Sequence, residues 1–213
     1  MTEPIIAPAH AIHVCRGMHE CRHSVLRFPD LIPALQECFL HHDLEAGLCS
    51  KIQGPLRHHH RIKVSVSLCP NGCSQPQIAD IGLLGAGNIR ISDTPCTACS
   101  RCIAVCRENA ITLSNAGPIV DPSKCMLCQA CTRVCPEKTL ETGQTGMRIQ
   151  LGGKLGRHPM LGRELDGIHS EQEVLEVVHR CLQFYLERFT PGKRLGDLIR
   201  EMSRAEFETE FHP

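Results

Sequence analysis

Residues 62–83 read IKVSVSLCPNGCSQPQIADIGL, and this stretch decides the fold. Ile62, Val64, Val66 and Leu68 alternate with Lys63, Ser65 and Ser67, the period-2 signature of a half-buried strand. The strand delivers Cys69 at its end, and Pro70, Asn71 and Gly72 make a tight turn to Cys73. A second widely spaced pair, Cys15 and Cys21, stands upstream in VCRGMHECRHSVLRF. Between the pairs, DLIPALQECFLHHDL places Leu35, Cys38, Phe39 and His42 at helical spacing. Four thiolates from two loops are enough to hold a [4Fe–4S] cluster.

Working outward, two further cysteine runs follow. TPCTACSRCIAVC supplies Cys96, Cys99, Cys102 and Cys106, and CMLCQACTRVCP supplies Cys125, Cys128, Cys131 and Cys135. Three evenly spaced thiolates wrap one corner of a cubane, and the fourth cysteine of such a run ligates the other cluster. Cys96, Cys99 and Cys102 are therefore paired with Cys135, and Cys125, Cys128 and Cys131 with Cys106. Zinc prefers two separated cysteine pairs and has no use for this repeated triplet. The stretch from Thr94 to Gly143 resembles the bacterial two-[4Fe–4S] ferredoxins. It departs at Arg107, where that family has proline; Pro136 keeps the pattern in the second run.

Fifteen cysteines in 213 residues dominate the composition. A disulfide framework suits small exported chains, and MTEPIIAPAHAIHV shows no basic region followed by an apolar one. Metal ligation and a cytoplasmic location are the expectation. Lys+Arg and Asp+Glu are both 23, so no charge excess points to nucleic acid or a lipid surface. Aromatics are 3% with no Trp, which argues against base-stacking platforms. The apolar runs are too short for a membrane span.

Cys-x5-Cys followed by Cys-x3-Cys resembles the sirohaem-dependent sulfite and nitrite reductases, above all the dissimilatory-type and anaerobic sulfite reductase subunits. Their signature continues with six residues and an acidic–apolar–small–apolar tetrad, matched here by SQPQIA and then Asp80, Ile81, Gly82 and Leu83. Leu68 stands where the family has Gly. GMRIQLGGKLGRHPMLGREL, residues 146–165, resembles the segment that passes near the sirohaem. The resemblance spans residues 13 to about 200. It implies an α+β fold: a [4Fe–4S]/sirohaem half-domain in two parts, residues 1–93 and 144–213, interrupted by a ferredoxin-like module at residues 94–143. It further implies three [4Fe–4S] clusters, the third held by Cys15, Cys21, Cys69 and Cys73, with Cys73 bridging to a sirohaem. The implied activity is multi-electron reduction of sulfite or nitrite, with the inserted module delivering the electrons.

The resemblance also implies an N-terminal half rich in anion-binding cations, whereas only 14 residues precede Cys15. An anion site needs several preorganised donors. The candidates here are Arg22, Lys154 and Arg157 for substrate, and Asn71, Gly152, Gly153, Lys154 and His158 for the cofactor. Arg16, His23 and the run RHHHRIK at residues 57–63 are further cations. Each has a plainer reading: Arg22 and His23 open a helix at the surface, His58–His60 make a solvated turn, and Asn71 favours the turn it occupies. Cys38, Cys49 and Cys181 lack partners in spacing, and Cys38 and Cys181 read as core thiols.

Towards the C-terminus, Ser170 and Glu173 form a capping box ahead of a helix carrying Val174, Val177, Cys181 and Phe184 or Tyr185. Thr190–Pro191 is expected to begin another helix. The expected partners are sulfite or nitrite, an electron-donor protein, and either a second copy of the chain or a larger reductase subunit that completes the pocket. A haem-free electron-transfer protein with three clusters is the alternative, favoured by the short N-terminus.

Overall fold

In the computed structural model, residues 5–6, 9–17, 21–52 and 54–213 are described. Residues 1–4 and 18–20, which belong to the first part of the expected half-domain and to the Cys15–Cys21 loop, lie outside them. The fold is α+β. Among the described residues, eight strands run in chain order: β1 Ile5–Ile6, β2 His10–Val14, β3 Ile62–Ser67, β4 Ile81–Ile91, β5 Ile111–Ser114, β6 Gly117–Val120, β7 Leu140–Leu151 and β8 Arg163–Glu164. The helices are α1 Leu31–His41, α2 Leu44–Cys49, α3 Arg101–Val105, α4 Ala130–Val134, α5 Glu171–Arg188, α6 Leu195–Arg200 and α7 Arg204–Phe211. The main sheet has the order β1-β2-β3-β4-β7-β8. Strands β2, β3 and β4 are parallel neighbours; β1 pairs antiparallel with β2, β7 with β4, and β8 with β7.

Register sorts the sheet's two faces. Ile12, Val64, Ile81 and Leu151 form one row, and Val14, Val66, Leu83 and Ile149 the next. All eight are buried with α5, α6 and α7 residues in a single apolar core. Helix α5 supplies Val174, Val177, Cys181, Leu182, Phe184 and Tyr185 to that core from an 18-residue span. Its start is fixed by the expected capping box: Ser170 accepts from the Glu173 N–H, and Glu173 accepts from the Ser170 N–H. The opposite face is polar or small, with His13, Ser65, Gly82 and Gln150 in one row.

Three local readings differ from expectation. Strand β3 is almost wholly buried rather than half-buried, because Ser65 and Ser67 are covered by the turn after Cys73. Arg22 and His23 lie in a turn and open no helix; the next helix after them begins at Leu31. Thr190–Pro191 also starts no helix: Pro191 lies in a turn, and Arg194 with Asp197 caps α6 instead.

Strands β4 and β7 pair along a long hairpin, from Ile81↔Leu151 out to Ile91↔Leu140. Its outer half carries an excursion, residues 92–139, built from α3, α4 and the β5–β6 ribbon. The excursion packs Cys102, Ile111 and Cys131 with Leu140, the first residue of β7, in a small apolar cluster. Strand β7 therefore begins inside the stretch that sequence places in the inserted module. No helix among the described residues is long and apolar enough to cross a membrane.

Candidate metal centres and the cleft beside them

The parallel strands β2 and β3 end side by side, which brings Cys15 and Cys69 to one edge of the sheet. The Cys15 N–H donates to Val66 O at 2.9 Å, and the Leu68 N–H donates to Cys15 Sγ at 3.4 Å. The chain returns past Cys21 because the Val25 N–H donates to Leu68 O. Gly17 is needed in that loop: a Cβ there would stand 2.9 Å from Ser24 Oγ and 3.1 Å from Cys15 Sγ.

The turn from Cys69 to Cys73 closes the set. Gly72 takes a left-handed conformation, φ +59°, at little steric cost. The Asn71 N–H donates to the Cys69 sulfur. Burial pushes the Cys69 thiol up from its ordinary value; the Asn71 N–H opposes this, and nearby Cys73, Cys15 and Cys21 push it up further. Cys15, Cys21 and Cys73 are thus all near enough to act on Cys69; Cys15 and Cys69 are buried, Cys21 half-buried and Cys73 exposed.

Ser74 anchors the turn. Its N–H donates to Ser67 Oγ at 3.2 Å, its hydroxyl donates to Val66 O at 2.8 Å, and the Ser65 hydroxyl donates to Ser74 O. The polar half of the β3 alternation is thus part of the site's support. Sequence reading missed this, because alternating serines in a strand read as a solvent face.

Within the excursion, Cys96, Cys99, Cys102 and Cys135 line one small cavity, and Cys106, Cys125, Cys128 and Cys131 line a second of about 200 Å³. The halves repeat each other. Ala98, Ser100 and Asn109 take positive φ in the first, and Leu127, Gln129 and Lys138 in the second. Each such non-glycine residue costs about 1 kcal/mol or more. The conformation turns amides toward sulfur: Ala98 N–H to Cys96, Ala110 N–H to Cys106 and Leu140 N–H to Cys135, at 3.3–3.5 Å. Burial pushes the Cys131 thiol up to about 12, and Cys102 and Cys125 are raised for the same reason. All cysteines are free. Convergent unpaired thiols surrounded by N–H donors suit thiolates holding an iron–sulfur cluster, where such hydrogen bonds tune the potential.

The second cavity reaches beyond the excursion. His23, Cys69, Pro70 and Asn71 line it together with Cys106, Cys125, Cys128 and Cys131. Gln129, buried in the second loop, holds the two parts together. Its amide donates to Gly87 O and to Asn88 O (2.8 Å), and its oxygen accepts from Thr132 and Thr142. The Gly87 N–H donates to Leu127 O at 2.9 Å.

On the polar face, His13, His58, His59, Lys63, Ser65, Ser74, Gln75, Gly156 and Arg194 are among the residues lining a cleft of about 390 Å³. Arg194 is already committed: it holds Asp80, which is 1% exposed, through both carboxylate oxygens at 2.9–3.0 Å. Burial pushes the Asp80 carboxyl up, against the pull of Arg194 and the Lys63 N–H. Lys154 is buried and paired with Asp197. Arg157 and His158 are exposed in the loop between Lys154 and Met160. Arg22 is exposed and donates to the His23 ring at 3.3 Å. Arg22, Lys154 and Arg157 are not among the residues lining the cleft. Gly152 and Gly153 are required by chain packing: a Cβ on Gly153 would stand 2.5 Å from Gln77 O, and one on Gly152 3.1 Å from Gly196 Cα. Asn71 lines the second cysteine cavity rather than this cleft.

The family described as "Nitrite and sulphite reductase 4Fe-4S domain" matches residues 12–212. The chain is 36% identical over 126 residues to the "Coenzyme F420-dependent sulfite reductase" of Methanocaldococcus jannaschii, covering 59% of this chain and 20% of that protein. It is 30% identical over 61 residues to a subunit of the anaerobic sulfite reductase of Salmonella typhimurium, covering 29% of this chain and 18% of that one. The crystal structure of "dissimilatory sulfite reductase I" superposes with a TM-score of 0.63 at 16% identity, covering 94% of this chain and 51% of that chain. The chain thus spans about a fifth of each of these two curated relatives and half of the solved one.

Proposed function

The chain belongs to the nitrite and sulphite reductase 4Fe-4S domain family, and from that premise we propose that it is the electron-delivering, cluster-bearing part of a sulfite reductase working in the cytoplasm. One observation carries the reading: the cavity of Cys106, Cys125, Cys128 and Cys131 is also lined by Cys69, Pro70 and Asn71. Two cysteine sets that share a wall are arranged for transfer between them. The third set, Cys96, Cys99, Cys102 and Cys135, has a separate cavity and would receive electrons from a donor protein. The excursion is read as a two-cluster ferredoxin module.

The chain's own part is to hold and tune. Twelve cysteines in three sets of four would carry three [4Fe–4S] clusters. The amides of Asn71, Ala98, Ala110 and Leu140 hold negative charge on sulfur. Pro70, Asn71, Met126 and Gln129 line the cavity between two of the sets. When bound, the clusters supply one-electron transfer, and a sirohaem would supply the iron at which sulfite or nitrite is reduced.

For sirohaem the fit is partial. Exposed Cys73 would supply a thiolate to it, and Lys63 with the ring N–H groups of His58 and His59 would supply donors to its carboxylates or to a small oxyanion. The cleft of about 390 Å³ lies at the small end of ligand pockets, so a larger reductase subunit or a second copy would complete it. Sulfite is preferred to nitrite because the sulfite reductases named above carry the sequence similarity.

A haem-free electron carrier is the second reading. It is favoured by the pairing of Lys154 with Asp197 and Arg194 with Asp80, which neutralises two nearby cations. Anaerobic purification with sirohaem in supply separates the two. About twelve irons per chain, extractable sirohaem and methyl-viologen-dependent loss of sulfite support the reductase. The same iron with no isobacteriochlorin band, even with partner subunits present, overturns it in favour of the carrier. An iron count near four overturns the three-cluster assignment.

A further inference from the structure

Apart from the cysteine sets, helices α1 and α5 bring three metal-binding side chains together. Cys38 and His42 lie one helical turn apart on α1 and its C-cap, so they share a face. His179 projects toward them from the middle of α5. Cys38 Sγ and ring nitrogens of His42 and His179 all lie within 4.8 Å of one another. His42 Nε2 and His179 Nδ1 are 2.5 Å apart. A fourth donor, His41, flanks the group, its ring centroid 5.3 Å from that of His179.

From this convergence we propose that Cys38, His42 and His179 form a binding site for a divalent zinc-class metal, which ties helix α1 to helix α5. The donor set decides the class. One thiolate and two imidazoles suit zinc and its neighbours, and hard calcium or magnesium would need oxygens that the set lacks. Three ligands from one chain with an accessible fourth position make a tetrahedral zinc geometry, the fourth being water or His41. Zinc bonds of about 2.0–2.1 Å to nitrogen and 2.3 Å to sulfur separate tetrahedral ligands by roughly 3.3–3.6 Å. The two imidazoles need only part by about 1 Å to reach that separation, and exposed His179 is free to turn that far.

Burial is graded in the direction metal entry requires. Cys38 is buried, His42 half-buried and His179 exposed. A thiolate buried there would be costly alone and is compensated by a bound cation. The two helices lie on opposite sides of residues 92–139 in the chain, so the metal would join the parts of the domain that the excursion separates.

The test uses the whole chain with its iron–sulfur clusters intact, so that their cysteines are occupied. The protein is loaded with zinc, dialysed, and measured for zinc, iron and the zinc K-edge absorption fine structure. Expected is one zinc per chain with a single sulfur neighbour and at least two nitrogens. His179→Ala, at an exposed position that leaves folding intact, should lose at least tenfold in zinc affinity with iron unchanged. Cys38→Ser should remove the sulfur neighbour. Zinc should raise the thermal midpoint of the parent chain and leave that of His179→Ala unmoved. Zinc that dialyses away, a shell of three or four sulfurs, or retention unaffected by His179→Ala would each overturn the proposal. No outcome depends on reductase activity.

Discussion

The helix-covered sheet and the excursion at residues 92–139 are stabilised in different ways. In the sheet, rows such as Ile12, Val64, Ile81 and Leu151 sink into one large apolar core. In the excursion, two of the four buried residues of the small apolar cluster are cysteines, Cys102 and Cys131, and six non-glycine residues take positive φ. Apolar burial there is too small to offset that backbone cost by itself. The sheet is held by hydrophobic burial; on the function proposed above, clusters bound by its thiols would hold the excursion.

The largest effect should come from breaking that second hold. Removing iron with an anaerobic chelator should abolish amide protection across residues 92–139, while β3 and α5 keep theirs. Hydrogen exchange read by mass spectrometry measures both in one experiment. Metal-dependent folding of this kind is expected where a small unit is organised around its ligands. If protection persists in the excursion without iron, the contrast between the regions fails.

Next in size is a charge inside the sheet domain. Arg194→Ala leaves the Asp80 carboxylate, 2% exposed at its side chain, without its partner. Removing one member of a buried pair costs about 3–5 kcal/mol, and the low end applies because Arg194 is 21% exposed. Urea denaturation should show the loss in the global transition. Cluster absorbance should change only with that transition, which keeps the two regions distinct.

Gln129 sharpens the comparison at their junction. Gln129→Leu removes the donors to Gly87 O and Asn88 O and the acceptor for Thr132 and Thr142. Stranding such groups costs about 1–3 kcal/mol. Faster exchange is expected around Leu127–Val134 and the bulge at Gly87–Ile89, with little change in α5. A uniform effect over both regions would mean that they unfold as one unit.

Sequence made the two regions legible to different degrees. The cysteines that spacing groups together also line the two excursion cavities, because short-range spacing constrains which thiols can meet. Strand β3, helix α1 and the capped helix α5 followed from periodicity and the Ser170–Glu173 pair. Long-range relations were not legible. Nothing local tells that Ser65 and Ser67 turn inward to hold Ser74, or that Arg194 reaches Asp80 across more than a hundred residues. Lys154 looked free for an anion because Asp197 lies outside its sequence neighbourhood. The glycines at 152 and 153 did mark a close approach, but to the chain's own backbone at Gln77 and Gly196.

The smallest effect belongs to the sheet domain alone and tests whether the regions are separable from that side. Ser170 Oγ accepts from the Glu173 N–H at the start of α5, one of the four amides that a helix N-terminus leaves without an internal partner. Ser170→Ala removes that acceptor and should cost about 1 kcal/mol, a typical loss for an N-cap. Helix α5 packs its apolar side into the main core, so the cost should appear in the global urea midpoint. Exchange in residues 92–139 of the cluster-loaded protein should stay unchanged, because their order is set by the thiols and what they hold. A loss of protection there would show that the excursion borrows stability from the helix layer after all.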